Sequence, residues 1–442
     1  MNHLNTSHDP ARRSWITSAN LPGSDFPIQN LPFGIFSHQG NAPHAGIAIG
    51  EEILDLAACI DAGLLDGDAL AAAQAAREPF LNTLMGLGPR YSSALRCAVS
   101  DLLRSDSPRR AEIESRRSSI LVPAAEATMM LPCRIGNYTD FLTSAHHTER
   151  LGKLKGLDIP LPPAFKSLPV AYHSRASSVR VSGHAVQRPN GQWKDADGTV
   201  RFGRVEALDF ELEMALFIGS GNLQGHPIPL KQARDHIFGY CLLNDWSAKS
   251  VQWWEQVLGP FLGKSFCTTI SPWIVTDEAL APFRVPARAR AEGDPAPLPY
   301  LSSDENNRLG GLDVQLEAYL STQSMRAHQL QPERISATNL TELYWNFPQM
   351  VTHHASNGCN LQPADLMGSG TVSGSTRESI ACMTEMTGNG KDPILLKNGE
   401  QRHWLADHDE VIFRARAVRE GYVTIGFGEC RGQILPAIPW PD

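Results

Sequence analysis

The sequence predicts a mostly β (α+β) protein in two parts, a small N-terminal domain over residues 1–122 and a larger β domain over 123–442. Three observations predict it. Apolar residues at helical spacing are concentrated in residues 64–103, where Leu95, Val99, Leu102 and Leu103 make one face. Past Pro123 the texture changes to short strands separated by Gly, Pro and Asn turns. Between the two, residues 105–119 are charged and serine-rich, as suits a surface helix or linker, which places the boundary near Val122 and Pro123.

Taken in order, residues 1–20 are polar and are expected to form a loosely held arm. Residues 31–37 and 45–56 follow as short strands broken by Gly and Pro. In the second part, residues 179–183, 206–219, 272–276 and 411–416 read as strands, interrupted by helical pieces at 231–238 and 247–258. No regular repeat is present.

With 442 residues, 42% hydrophobic and 19% charged, the chain has the composition of an ordinary folded protein. Its net charge of -8 argues against general nucleic-acid binding, which favours a basic stripe. The polar N-terminus lacks the apolar core of a secretory signal, and no apolar run is long enough to span a bilayer, so no membrane association is expected. The eight cysteines form no CxxC pair, so a zinc knuckle is not expected, and the cytoplasm is the expected compartment.

Chemistry is concentrated in acids. In Asp209-Phe-Glu-Leu-Glu-Met, strict alternation puts Asp209, Glu211 and Glu213 on one strand face and Phe210, Leu212 and Met214 on the other. The plain alternative is a solvated strand face. The continuation Ala215-Leu-Phe-Ile-Gly, however, reads as buried on both faces, where like charges need a cation or a proton. Carboxylates without cysteines favour a hard cation, Mg2+ or Ca2+. Asp140 and Asp245 are further candidates, although an Asp at a strand-to-helix junction is commonly an N-cap.

These pieces, in this order, resemble the fumarylacetoacetase family. The resemblance rests on Ile135-Gly-Asn-Tyr-Thr-Asp-Phe, Leu168-Pro-Val-Ala-Tyr-His-Ser, Leu208-Asp-Phe-Glu-Leu-Glu-Met, Asn244-Asp-Trp-Ser-Ala, Gly259-Pro-Phe-Leu-Gly-Lys-Ser-Phe and Ser369-Gly-Thr-Val-Ser-Gly. It implies an SH3-like N-terminal barrel domain, a β-roll catalytic domain and a homodimer. It implies a metal site of Asp140, Glu211, Glu213 and Asp245, with Lys264 and Thr268 around it. Of the pair His146 and His147, it selects His147 as the base, oriented by Glu385. Lys264 and Gln252 would donate to the developing oxyanion, and Tyr172 and Thr371 would contact substrate. The implied reaction is metal-assisted hydrolysis of 4-fumarylacetoacetate to fumarate and acetoacetate, in tyrosine and phenylalanine breakdown.

The chain departs from the animal pattern in the substrate pocket. Leu142 stands where a Tyr is expected, Lys249 where an Arg is expected, and Gln256 where a second Tyr is expected. An Arg is missing from Lys153-Leu-Lys-Gly, where Lys153 or Lys155 could supply the charge. Two alternatives therefore stand beside fumarylacetoacetate hydrolysis: a related hydrolase or decarboxylase acting on another β-diketo or oxo acid, and a metal-binding member without catalysis.

Overall fold

In the computed structural model, which describes residues 4–441, the mostly β, two-part fold expected from the sequence is what the chain adopts. Residues 1–3 of the expected arm lie outside the described residues.

The first part is a five-stranded antiparallel sheet in the order Leu121–Pro123, Glu52–Asp55, His44–Ile49, Phe33–His38 and Ala127–Met130. The sheet thus takes in residues beyond 122. Helices Gly67–Ala75, Asn82–Gly86 and Pro89–Leu103 pack beside it. Pro89 occupies the first turn of its helix, where its missing N–H has no intrahelical role. Leu95, Val99, Leu102 and Leu103 are buried as their spacing predicts. The serine-rich segment forms two short helices, Arg110–Ser115 and Arg117–Ile120, that bury Ile113 and Ile120.

The arm is not loose. Trp15 and Ile16 are buried, and the Trp15 indole donates to Leu102 O at 3.2 Å. The fully buried Arg96 guanidinium donates to Asn30 O at 3.2 Å and also to Ser7 Oγ and Gln29 O. An arginine directly after Leu95 reads as surface in one dimension; here the Ser7 hydroxyl of the arm and the carbonyls of Gln29 and Asn30 let it stay inside.

The second part is built on an eight-stranded sheet. Its path runs Val170–Ser174, Tyr138–Leu142, Leu366–Gly368, Leu212–Ile218, Ile237–Asp245, Thr268–Ile270, Val179–Val181, with Val275–Thr276 paired off it. In Leu212–Ile218, residues Leu212, Met214, Leu216 and Ile218 pack into one core. Ala215 and Phe217 pack into another, which is shared with Ile47, Leu84 and Leu95 of the N-terminal part. The N-terminal part is therefore the cover of one sheet face, and both faces are buried, as the apolar run predicts. A five-stranded sheet of Glu333–Asn339, Val314–Ser321, Glu410–Ala417, Ile425–Leu435 and Val186–Gln187 contributes to the other core.

Two expected helices are shorter than the pattern implied. A 3-10 helix occupies Leu230–His236, and Ile237 already starts a strand. Ser247–Ala248 is a strand pair with Leu208–Asp209, and the helix is Lys249–Glu255.

Candidate active site

Strand register assembles the acids. Asp140 is paired with Tyr172 on one side and Gly368 on the other, and Gly368 is in turn paired with Ala215, two residues from Glu213. Asp245, at the end of its strand, is paired with Thr268. Ligand atoms of Asp140, Glu213 and Asp245 consequently lie within 4.8 Å of one another, all buried. Gly368 makes room for them: a Cβ there would overlap Asp140 Oδ1 and come within 2.9 Å of Glu213 Oε2.

Burial, and then the neighbouring Asp245, pushes the Asp140 carboxyl well above the usual range. Burial and the nearby Asp140 and Asp245 do the same to Glu213. Asp140 Oδ1 and Glu213 Oε1 are buried without a hydrogen-bond partner among the described residues. Crowded, under-satisfied oxygen donors fit a hard divalent cation, which would offset their repulsion. Around them, the Tyr172 hydroxyl lies 2.9 Å from both Asp140 Oδ2 and Asp245 Oδ2, and Thr268 Oγ1 donates to Asp245 Oδ1 at 3.2 Å.

Glu211 stands apart from this trio. Its carboxylate pairs with Lys249, and with Lys264 at 2.7 Å, while Lys264 also reaches Asp245 at 2.5 Å. Burial works to raise the Glu211 carboxyl, but Lys249 and Lys264 outweigh it and hold it well below the usual range. Lys249, expected to contact substrate, is fully buried against Glu211, and the residues that line the cavity do not include it. The expected strand face through Asp209 is corrected. The strand breaks at Phe210, and Asp209 turns away to cap Met383–Met386, accepting from Met383 N at 2.6 Å and Thr384 N at 2.9 Å.

The two neighbouring histidines have different partners. Helix Ala145–Leu154 starts at Ser144, whose hydroxyl accepts from His147 N at 3.2 Å. This places His147 inward, with Nδ1 2.6 Å from Glu385 Oε2. His146 faces elsewhere, 2.9 Å from Arg288. Burial would raise the Glu385 carboxyl, yet His147, Ser373 and Cys382 hold it down at about 2.

His147, Asp140, Glu211, Lys264, Gln252, Tyr172 and Thr371 line one cavity of 310 Å³, along with Leu142 and Gln256. Lys155 lines it too, donating to Gln256 Oε1 at 2.5 Å, whereas Lys153 pairs with Glu149. Thr371 Oγ1 and Gln252 Oε1 are buried with no partner among the described residues. A larger cavity of 680 Å³ lies between the two parts, but its buried Arg284 is paired with Asp277, and none of the acids or histidines above reach it.

Sequence reasoning missed Arg150, Ser373 and Cys382, all of which contact Glu385. Arg150 was within reach of a sequence argument, since it lies three residues beyond His147 on one helix face. Ser373 stood inside the Ser369-Gly-Thr-Val-Ser-Gly motif.

A histidine backed by a buried carboxylate, facing a nest of acids across a cavity of small-molecule size, is the arrangement of a hydrolytic enzyme. Residues 136–435 match the family described as fumarylacetoacetate (FAA) hydrolase C-terminal, and residues 29–132 match fumarylacetoacetase N-terminal. The chain belongs to the fumarylacetoacetase family. It is 46% identical to fumarylacetoacetase of Bos taurus over 420 residues, covering 94% of this chain and 97% of that one. It is 44% identical to fumarylacetoacetase of Oryza sativa subsp. japonica over 434 residues, covering 97% and 98%. Among solved structures, a fumarylacetoacetate hydrolase from psychrophilic Exiguobacterium antarcticum shares the fold. The TM-score is 0.51 at 16% identity, over 92% of this chain and 99% of that one.

Proposed function

We propose that the chain hydrolyses 4-fumarylacetoacetate to fumarate and acetoacetate, a step of tyrosine and phenylalanine breakdown. The observation that carries this reading is the 2.6 Å His147–Glu385 pair, whose His147 lines the same cavity as Asp140 and Glu211. Relatives that carry the name fumarylacetoacetase over nearly the whole chain support the substrate.

With Nδ1 bonded to Glu385, Nε2 of His147 is the nitrogen left to take a proton from water. Glu385 then stabilises the imidazolium. Lys264 and Gln252 lie on the cavity wall, where they donate to oxyanion charge. Thr371 offers a free hydroxyl and Lys155 a cation for substrate carboxylates. Asp140, Glu213 and Asp245 would hold Mg2+ or Ca2+, with Glu211, Lys264 and Thr268 bracing them; when bound, the ion supplies Lewis-acid polarisation of the diketone.

A second reading, hydrolysis of a different β-diketo acid, draws on Leu142, Lys155 and Gln256 in the cavity wall. The exposed run of Val257, Leu258, Phe261 and Leu262 at the cavity mouth supports a homodimer interface. Eight free cysteines, six of them buried, support a cytoplasmic setting; among the described residues, no helix is long and apolar enough to cross a membrane.

The test is a diketo-acid panel on purified protein, with metal stripped and then restored. Loss of fumarylacetoacetate absorbance that His147→Ala abolishes is the expected result. Turnover of another acylpyruvate alone would transfer the assignment to the second reading, and turnover of none would end both.

A further inference from the structure

Glu385 accepts from more donors than an orienting carboxylate needs. Oε2 takes His147 Nδ1 at 2.6 Å, Ser373 Oγ at 2.7 Å and Cys382 Sγ at 3.1 Å. Oε1 takes Arg150 Nη1 at 3.1 Å. The other end of the same guanidinium donates to Gly374 O at 2.8 Å and Ser375 O at 3.1 Å. Arg150 thus ties the carboxylate to the loop that carries Ser373, from the helix that carries His147. It does not line the cavity, so it meets no substrate.

One charge-assisted bond to Glu385 Oε1 and two bonds to carbonyls fix where the guanidinium sits, and with it that carboxylate oxygen. We propose that Arg150 is a positioning residue that holds Glu385 in place and, through it, keeps His147 aimed at the cavity. This rests on the assignment of His147 as the base.

The experiment uses full-length protein with Arg150→Gln and Arg150→Lys. Deuterium exchange at the His147 imidazole C2, resolved from His146 by fragment-ion mass spectrometry, follows how tightly the ring is held without any substrate. The kcat, KM and Tm are measured alongside. With Arg150→Gln, exchange at His147 should quicken and kcat fall several-fold, with KM little changed. Arg150→Lys keeps a charged donor to Glu385 and should recover most of both. Should Arg150→Gln fail to fold, Arg150→Met gives the same reading. Unmoved exchange at His147, with kcat falling only as Tm falls and no recovery by Arg150→Lys, would reduce Arg150 to a structural strap and overturn the proposal. A rise in KM alone would make it a substrate contact and overturn it as well. If the parent protein turns over no diketo acid, the functional reading fails, yet the exchange at His147 still decides the role of Arg150.

Discussion

Glu385 is a carboxylate in a nearly dry setting, and the donors converging on it explain how it stays ionised. Its carboxyl is held at about 2 instead of the ordinary 4.5. A group depressed on folding contributes stability above its unfolded value and loses that contribution as pH falls through the folded one. Glu385 therefore contributes on the order of 3 kcal/mol near neutrality, lost between about pH 5 and pH 2. Urea unfolding at stepped pH should show the parent protein losing more stability on acidification than Glu385→Gln, by roughly that amount. Lys155 makes a second prediction at this scale. It is the lysine of the Lys153–Lys155 pair that reaches the cavity, so Lys155→Met should raise KM for a diketo acid about 10-fold or more while kcat moves less. The sequence left that pair unresolved because their distance along the chain says nothing about which face each occupies at a helix end. Likewise, His147 was distinguished from His146 only through family spacing. The structure supplies the physical reason: the Ser144 cap sets the phase of the helix, and phase decides which of two adjacent side chains faces inward.

At the scale of elements, register does the work that alternation could only hint at. Leu212–Ile218 behaves as read, with Glu213 on the Ala215 and Phe217 face and fully buried. Asp209 does not, because the chain leaves the central sheet at Phe210, and a period-2 pattern carries no mark of that break. The Asp140, Gly368 and Ala215 register is what brings Glu213 to Asp140. Gly368→Ala should accordingly disturb both carboxylates, costing about 1–3 kcal/mol and weakening the rise in Tm that the proposed Mg2+ or Ca2+ site predicts for the parent protein. Differential scanning calorimetry with and without metal checks both. A variant that kept the full metal-induced rise would show that the cation is held elsewhere.

Over the whole molecule, the N-terminal part covers one face of the sheet whose edge and ends build the site. Residues once expected to form a loose arm close that cover. The exposed Leu258, 99% accessible, and Phe261, 67%, lie beside the cavity mouth. The homodimer proposed on this run predicts that Leu258→Glu with Phe261→Glu halves the mass read by light scattering on a sizing column; a parent protein that is already a monomer, or an unchanged mass, would overturn that interface.

The sequence by itself determined the fold class and the run buried on both faces, and it singled out the acids and the histidine that the fold brings together, because periodicity and motif order are local properties. Only the tertiary structure decided which acids converge. Asp140, Glu213 and Asp245 meet through pairings between strands far apart in the chain, while Glu211 is drawn off by Lys249 and Lys264. The Arg150 hold on Glu385 also belongs to the tertiary level, since it spans 235 residues. Whether a buried charge is a ligand, a cap or half of an ion pair depends on which opposite charge lies nearest in space, and no local pattern carries that distance.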